Sequence, residues 1–423
     1  MTFLSRQLRL LFLATVLVVA AFSTGIDFLF FLVYLLGAIV LGSWLLARRG
    51  LRGIRADYRV LNPRAHVGEV LEAVYRVENH DRWGKPWIEA WNESTLPVSL
   101  PGRAIGIQGG GTRQWLAKVA LGRRGSYRLG PLRVRTGDPL GIFSSEMVVG
   151  SPTSIVVFPQ VVPLPHWRLP PSPIEGTTPV KRRFEAASPL VSGIRPYVHG
   201  DAINRIHWLS SARHLELQVK EFEHEQAADL WMLLDLDRAV HAGVGLDASV
   251  EAAVTVAASV ALRTLADHRS VAMTASARRI QIHQPDRGPR VEQKMLHLLA
   301  NVQADGVRPL AEVLLATMPQ LRRGMTLCLI TGSTERTWVR ALAGLRRRGV
   351  ATLVILIDRG SYAGADDDPH ASAELAAVRH ALAEYGVDYR LVRRGDSIAD
   401  ALAPQERVRA RGSGSVPEGR ING

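Results

Sequence analysis

The chain has 423 residues, of which 47% are hydrophobic and 22% charged, and its formal net charge is +13. This length allows more than one domain, and this composition excludes a largely disordered protein because it supplies enough apolar residues for folded cores. The single cysteine, Cys328, excludes an internal disulfide. Its apolar surroundings at 326–330 favour a core position over a role as a nucleophile.

Two apolar runs lie close to the N-terminus. The run 28–47 has 20 residues and no charge, which is enough to cross about 30 Å of hydrocarbon as a helix. The run 10–22 is shorter, yet no small-residue cleavage pattern precedes a mature domain before the second run begins. We therefore predict a transmembrane helical hairpin over residues 1–50, with spans at about 7–23 and 28–47.

The charges around this hairpin are asymmetric. Arginines flank the apolar runs at Arg6, Arg9, Arg48 and Arg49, whereas the connection 23–27 has no lysine or arginine. The positive-inside bias predicts that both ends of the hairpin, and therefore the soluble domains, are cytoplasmic. The basic flanks also suit contact with anionic membrane lipid, and no stripe of basic and aromatic residues indicates nucleic-acid binding.

Residues 51–162 show the short alternating runs that are typical of β-strands. These runs are separated by Gly, Pro and Asn and lie at 70–77, 87–91, 114–119, 125–134 and 154–158. We predict an antiparallel β-sandwich, since strand aromatics and β-branched residues favour a pleated, half-buried surface. Its packing is predicted to include the four tryptophans Trp83, Trp87, Trp91 and Trp115.

The period of the sequence changes after the proline-dense segment 163–190, which we predict to be a stiff connector. Apolar runs typical of buried strands then alternate with amphipathic helical runs between residues 230 and 392. This alternation predicts an α/β domain over 191–403 whose mostly parallel sheet is covered on both faces. The last residues, 404–423, are polar, basic and glycine-containing, and we expect a disordered tail.

The segment 194–223, at the start of this domain, combines glycine, histidine, tryptophan and charged residues. Asp201 follows Gly200 and suits an N-cap, so we predict a short helix over about 202–213. Apolar and polar residues then alternate from 215 to 220, which predicts a strand with one polar face.

This segment resembles a known family. The similarity lies in Gly200-Asp201, Ile206-His207-Trp208, Ser211-Ala212-Arg213 and Lys220-Glu221-Phe222-Glu223. These motifs are similar to those of the bacterial membrane proteins of domain of unknown function 58, which are associated with MoxR-type AAA+ ATPases. The stretches 124–131 and 137–143 of the predicted sandwich also look like that family, and the resemblance covers roughly residues 1–400.

The resemblance implies a von Willebrand factor A-like fold for the α/β domain, a multi-pass protein of the bacterial inner membrane and a MoxR-type AAA+ ATPase as partner. It implies no settled biochemical activity. Two roles stay open for the signature residues: an ion-pair lattice that holds the segment against the α/β domain, or a partner-binding surface. The residues concerned are Arg195, Tyr197, Gly200, Asp201, Arg205, His207, Trp208, Ser211, Arg213, Lys220 and Glu221.

Domains similar to von Willebrand factor A often hold Mg²⁺ with oxygen ligands from three loops at one edge of the sheet. In this chain Asp235 and Asp237 remain in the first loop, beside Arg238 and without the two expected serines. The second loop, 305–309, lacks threonine, and the third, 331–333, lacks the expected aspartate. We therefore predict a degenerate edge without a functional metal site.

The sequence shows no motif of an enzyme active site. It has neither a Gly-x-Ser-x-Gly elbow nor a Walker loop, and the glycine-containing loop 243–248 does not start directly after a strand, as a dinucleotide site requires. We therefore predict no cofactor and no catalytic residue. The predicted function is a membrane-anchored, non-enzymatic adaptor or assembly factor for the ATPase. The alternative is a membrane-anchored hydrolase whose site is assembled from scattered residues.

Overall fold

The computed structural model describes residues 2–170, 191–198, 201, 203, 206–222, 230–364 and 369–404. Four predicted features lie outside the described residues: positions 171–190 of the connector, the tail beyond Pro404, and the signature residues Gly200 and Arg205. The chain forms two compact units. The first contains the residues up to Gln160 together with 296–301, and the second contains the rest.

Two apolar helices begin the chain: α1, Thr2–Thr24, and α2, Asp27–Gly50. Gly25 makes their tight connection possible, because its φ of +69° lies in the left-handed region that favours glycine. Helix α2 is long and apolar enough to cross a membrane, while the apolar part of α1, Leu11–Thr24, is shorter. The predicted pair of apolar helices is confirmed, and its topology in a membrane stays a prediction.

Nine strands follow in the first unit. They are β1 Ile54–Val60, β2 Arg64–His66, β3 Val70–Asn79, β4 Lys85–Ser94, β5 Arg103–Ile107, β6 Thr112–Ala120, β7 Gly125–Gly137, β8 Ser144–Val149 and β9 Thr153–Phe158. One sheet has the order β1-β3-β6, and the other has the order β2-β9-β7-β4-β5 with β8 paired to β7. All five predicted strands lie within these bounds.

The two sheets bury one shared apolar cluster. Alternation along the strands makes this possible: Leu71 and Tyr75 of β3 point into the cluster, as does Ile88 of β4 in the other sheet. The ring of Trp115 stacks on that of Tyr75 with centroids 5.2 Å apart. Trp83 is exposed, so its predicted place in the packing is wrong; it lies in the bend before β4, where strand alternation does not apply.

A small hairpin precedes the α/β region: β10 Val191–Pro196, α3 Trp208–His214 and β11 Gln218–Phe222. The elements that follow are β12 Leu230–Leu234, α4 Ser249–Ala266, β13 Val271–Ser276, β14 Ile280–Asp286, α5 Pro289–Asn301, α6 Leu310–Thr317, β15 Thr326–Thr331, α7 Thr337–Arg347, β16 Ala351–Ile357, α8 Arg359–Ala363, α9 Pro369–Glu384, β17 Asp388–Val392 and α10 Ile398–Ala401. The predicted alternation of strands and helices is confirmed. The sequence pattern misses β14, because Pro285 and its polar neighbours mask the strand alternation.

Six strands form one mixed sheet in the order β14-β13-β12-β15-β16-β17. All neighbouring pairs are parallel except β13 and β14. Helices α6, α7 and α9 share a core cluster with Trp231 and Leu233 of β12. The alternate residues Met232 and Leu234 are also fully buried, and α4 packs against this strand. Helix α4 is long and apolar enough to span a membrane, but its burial makes it a core helix.

Candidate functional site

Three polar side chains meet at the carboxyl edge of the mixed sheet, and we call them the edge cluster. Asp235 follows β12, while Ser276 and Thr331 end β13 and β15, the strands on either side of β12. The Thr331 hydroxyl donates to Oδ2 of Asp235 at 2.7 Å, and the Ser276 hydroxyl donates to Oδ1 at 3.3 Å. Because the strand order reverses beside β12, this is the switch point at which open α/β sheets place their ligand sites.

The Asp235 carboxylate is closed off from solvent. Asp235 is fully buried, and the Asp237 N–H donates to its Oδ1 at 3.1 Å. Burial raises the pKa of Asp235 to about 6, although the hydrogen bonds from Thr331 and from the Asp237 N–H offset part of this effect. Both carboxylate oxygens therefore accept hydrogen bonds from the chain itself.

Residues 237–248, which we call the edge segment, connect β12 to α4. Nε2 of His241 lies 2.9 Å from the carbonyl oxygen of Asp235, and Nδ1 lies 3.1 Å from the hydroxyl of Ser249. A carbonyl oxygen only accepts, so Nε2 carries the proton and Nδ1 accepts from Ser249. The Ser249 oxygen in turn accepts from the Ala242 N–H at 2.9 Å. These bonds hold the edge segment against the end of β12.

Asp235 and Asp237 are the two carboxylates of the predicted degenerate metal edge. Oδ1 of Asp237 accepts from the Ala239 N–H at 3.0 Å, which makes a local turn. Within the described part of the chain, no group of three or more His, Cys, Asp or Glu side chains could hold a metal ion. Sequence reasoning placed Thr331 in the third loop of this edge, but it missed the hydroxyls of Thr331 and Ser276 as hydrogen-bond partners of Asp235. The signal that could have found them is their place at the carboxyl ends of buried strands beside β12.

Strands β10 and β11 pair antiparallel with α3 between them, and we call residues 191–222 the signature hairpin. Both terminal nitrogens of Arg195 donate to the carboxylate of Asp201, each at 2.8 Å. The Val198 N–H donates to the same carboxylate at 2.9 Å. A two-point arginine–carboxylate pair fixes geometry as well as adding energy. Two of the predicted signature residues thus hold one end of the hairpin together.

Helix α3 begins at Trp208, and the predicted start near residue 202 is wrong. His207 is the N-cap, because its Nδ1 accepts from the Ser210 N–H at 3.1 Å. Asp201 does not cap the helix, since its carboxylate already binds Arg195. Ile206, just before the cap, instead forms a bridge with Val219 of β11.

Strand β11 begins at Gln218, three residues after the predicted start at Leu215. Leu215 follows α3 with a left-handed φ of +57°, which ends the helix and turns the chain. Ser211 then joins helix and strand: its hydroxyl donates to the His207 carbonyl oxygen at 3.1 Å and accepts from the Gln218 N–H at 2.8 Å. The signature residues His207 and Ser211 are therefore structural ties of the hairpin.

Comparison with known proteins identifies this part of the chain. The family model described as "Protein of unknown function DUF58" matches residues 193–361. These residues belong to the DUF58 family. The uncharacterized protein YeaD of Bacillus subtilis (strain 168) is 24% identical over 319 residues, which cover 71% of this chain and 76% of that protein. The resemblance inferred from the motifs is confirmed.

Solved structures give only distant similarities. The CARDB domain of a Pyrococcus furiosus protein is 11% identical and covers 25% of this chain and 91% of that domain, with a TM-score of 0.19. The C-terminal domain of wzt is 11% identical and covers 26% of this chain and 75% of that domain, with a TM-score of 0.21. These scores are too low to assign a fold to this chain.

The signature hairpin of the DUF58 region exposes seven large apolar side chains, each with between 45% and 92% of its surface accessible. They are Ile194, Val198, Ile203, Trp208, Leu209, Leu215 and Leu217, and we call them the apolar set. Among the hairpin residues whose burial is described, Ile206 and Val219 are the buried apolar ones. Single exposed apolar residues are ordinary, but a concentration within one short segment indicates an interaction surface.

The other signature residues of the DUF58 region occupy different environments. Tyr197 is half-buried and donates its backbone N–H to the Leu217 carbonyl oxygen at 2.8 Å. Arg213 is exposed at the end of α3. Lys220 and Glu221 lie in β11, where they are paired with β10. The structure therefore brings Arg195 and Asp201 together and leaves Arg213 on the surface.

Proposed function

We propose that this DUF58 protein is a membrane-anchored, non-enzymatic docking protein for a MoxR-type AAA+ ATPase. The signature hairpin is the docking surface, and the apolar set supplies its main contacts. The observation that carries the proposal is that the apolar set is exposed, whereas polar groups of the same hairpin, such as the Arg195–Asp201 pair and the Ser211 hydroxyl, form hydrogen bonds within it. The identity of the partner rests on the family resemblance, and the partner supplies the nucleotide chemistry.

Trp208 and Leu209 are the best placed residues for central contacts. Both lie in the first turn of α3 and are exposed, and tryptophan is enriched among the residues that dominate protein–protein binding energy. Arg213 follows Leu209 by one helical turn, so a positive charge borders the apolar residues. Arg195 contributes less charge, because Asp201 neutralises it. The matching surface on the partner is apolar with an acidic rim.

The edge cluster supports docking over catalysis. A general base must come within hydrogen-bond distance of a substrate proton. Asp235 is buried, and its two oxygens accept from Thr331, Ser276 and the chain that follows. A side chain held in this way connects the ends of neighbouring strands and is not available to a substrate.

The remainder of the chain suits a tether. In the finer fold that we propose, the two sheets of the first unit form a β-sandwich and the second unit is von Willebrand factor A-like. Helices α1 and α2 cross the bacterial inner membrane, and the soluble domains lie in the cytoplasm. Anchoring a partner in this way raises its effective concentration at the membrane without any new chemistry.

The topology predicts a clear reporter result. A fluorescent protein fused after Arg55 or at the C-terminus should fold and fluoresce, because both positions are cytoplasmic in this arrangement. Alkaline phosphatase fused at the same positions should be inactive. Active phosphatase at either position would place the soluble domains outside the cytoplasm and refute the proposed topology.

The docking surface predicts a loss of ATPase binding in variants of α3. Trp208→Ala and Leu209→Ala should each weaken binding of the purified ATPase by about tenfold or more, because central apolar contacts carry most of the binding energy. The melting temperature of the full chain should stay within a few degrees, since both side chains are exposed. Binding is measured by interferometry with the full chain in nanodiscs.

Leu315→Ala is the matched control, because Leu315 is an exposed leucine on helix α6 of the same unit. It should leave ATPase binding unchanged. If Trp208→Ala and Leu209→Ala bind like the wild type, the signature hairpin is not the docking surface. If Leu315→Ala weakens binding equally, the contact is not specific to the hairpin.

A further inference from the structure

The last turn of α2 is fastened to the strands that follow it in the first unit. Nζ of Lys85 donates to the Arg49 carbonyl oxygen at 3.0 Å, and the Ser145 hydroxyl donates to the Ala47 carbonyl oxygen at 2.8 Å. Lys85 is buried, and its charge is balanced by Asp81, whose Oδ2 lies 2.9 Å away. The end of the apolar helix is thus tied into the sheet region.

A cavity of about 810 Å³ opens beside this junction. Its lining combines cationic and apolar side chains, among them Arg49, Trp83, Trp87, Arg135, Leu140 and Phe143. The volume falls in the range of small-molecule sites, about 300 to 1,000 Å³. Trp83 and Leu140 are 78% and 60% exposed, so large apolar side chains border the opening. We call this space the junction cavity.

The two acidic residues of the lining both have partners within the chain. Asp81 pairs with Lys85. The carboxylate of Asp138 accepts from the N–H groups of Leu140 at 3.0 Å and Phe143 at 2.6 Å. Burial disfavours the ionised form of Asp138, but the backbone N–H groups outweigh burial and lower the pKa of this carboxyl. Asp138 therefore stays ionised and is held by backbone N–H groups, while Asp81 is paired with Lys85, so the two lining arginines outnumber the one unpaired carboxylate.

The two arginines of the lining have no such compensation. Arg49 and Arg135 form no ion pair within the described part of the chain, and Nε of Arg135 is buried without a hydrogen-bond partner. Arg135 stands opposite Glu89 of β4 in the sheet register, yet no ion pair joins them. The cavity therefore offers two arginine side chains to an anionic ligand.

We propose that the junction cavity binds the headgroup of an anionic phospholipid from the membrane that α2 enters, an inference that rests on the membrane anchorage of the proposed function. The apolar run of α2 ends at Ala47, so Arg49 lies at the level of the lipid headgroups. Arginine guanidinium groups match phosphate oxygens in two-point contacts. Exposed tryptophan suits the membrane–water interface, where Trp83 packs beside the glycerol and first methylene groups. The lipid thereby connects the membrane surface to the sheet region.

The experiment measures lipid binding to the full chain. Purified protein in detergent micelles is titrated with phosphatidylglycerol or phosphatidylcholine, and bound lipid is counted by native mass spectrometry. Phosphatidylglycerol should bind at least about tenfold more tightly than phosphatidylcholine. Millimolar inorganic phosphate should not displace it, because the apolar contacts require a lipid.

The double variant Arg49→Gln with Arg135→Gln should bind phosphatidylglycerol about tenfold or more weakly than the wild type. The matched control is Arg48→Gln with Arg82→Gln, which removes two positive charges from the same neighbourhood outside the lining. It should keep its preference for phosphatidylglycerol. Melting curves show whether each variant folds. If the double variant does not fold, the single variant Arg49→Gln is titrated instead, because Arg49 is exposed.

Two results would overturn the proposal: equal affinity of the wild type for the two lipids, or an equal loss in the control and the lining variant. Displacement by inorganic phosphate would make free phosphate the ligand and would also overturn it. Insertion into phosphatidylcholine nanodiscs is scored on the same preparations. A chain that does not insert refutes the proposed anchorage, whereas a chain that inserts without lipid preference refutes only the junction cavity.

Discussion

Replacing Gly306 with alanine is expected to destabilise the second unit by about 2 to 4 kcal/mol. A Cβ atom at this position would overlap the Ser276 carbonyl oxygen and would lie 2.8 Å from that of Leu236. Both are backbone atoms that cannot rotate away, so the backbone at residue 306 would have to separate from the ends of β12 and β13. The Gly306 N–H also donates to Leu236 at 2.9 Å, and its carbonyl oxygen accepts from the Arg238 N–H at 3.0 Å. Separation would therefore strain the edge segment as well.

Urea unfolding of the full chain in detergent, followed by tryptophan fluorescence, checks this result, since Trp231 and Trp338 are buried in the core of the second unit. Gly344→Ala is the matched control. Gly344 lies within α7, and no atom stands within 4 Å of an added Cβ. Alanine there should stabilise the helix by up to about 1 kcal/mol. A Gly306→Ala variant as stable as the wild type would contradict the packing described for the sheet edge.

The second large effect is expected from Asp235→Asn and depends on pH. Burial raises the pKa of Asp235 from 3.8 to about 6 in the folded protein. Between these values the folded state keeps a proton that the unfolded state has released, so stability falls as pH rises through this window. At pH 7 and above the ionised carboxylate carries nearly the whole penalty, which is about 3 kcal/mol. Asparagine has no ionisation and avoids this loss.

The free energy of unfolding of Asp235→Asn, minus that of the wild type, should therefore increase by about 2 kcal/mol between pH 4 and pH 7. Asparagine can keep the contacts at Oδ1 and offer its amide group to the Thr331 oxygen, so the site keeps its shape. Urea unfolding at intervals of half a pH unit gives the difference. If the free energies of unfolding of the two proteins change with pH in parallel across this range, the pKa of Asp235 is not raised in the folded protein.

Local patterns in the sequence predict the elements of this protein well. The uncharged run 28–47 predicts α2, and the alternation in 70–77 predicts β3. A helix that is apolar on all sides gives a continuous apolar run, and a strand with one buried face gives alternating apolar and polar residues, so both are visible in the sequence. The continuous apolar run at 230–234 likewise predicts β12, which is buried along its whole length. The DUF58 signature could be identified from short motifs for the same reason, since each motif lies within a few residues.

Contacts between distant residues could not be read in this way. Asp201 is a good N-cap by its local sequence, yet its carboxylate binds Arg195, which pairing of β10 with β11 brings close. Asp235 meets Thr331 only because the sheet order places β12 beside β15. The junction cavity likewise needs Arg49 and Arg135 to meet from separate elements.

The sequence by itself determined the apolar helices, the strands, the α/β order and the family. The tertiary structure decided which polar groups are satisfied and which apolar groups remain exposed. Trp83 and Trp115 are both tryptophans of one predicted sheet region, but only Trp115 is buried. Whether a polar group finds a hydrogen-bond partner, and whether an apolar group is buried, depends on which elements become neighbours. Sheet order and register decide those neighbours, and residues far apart in the chain contribute to both.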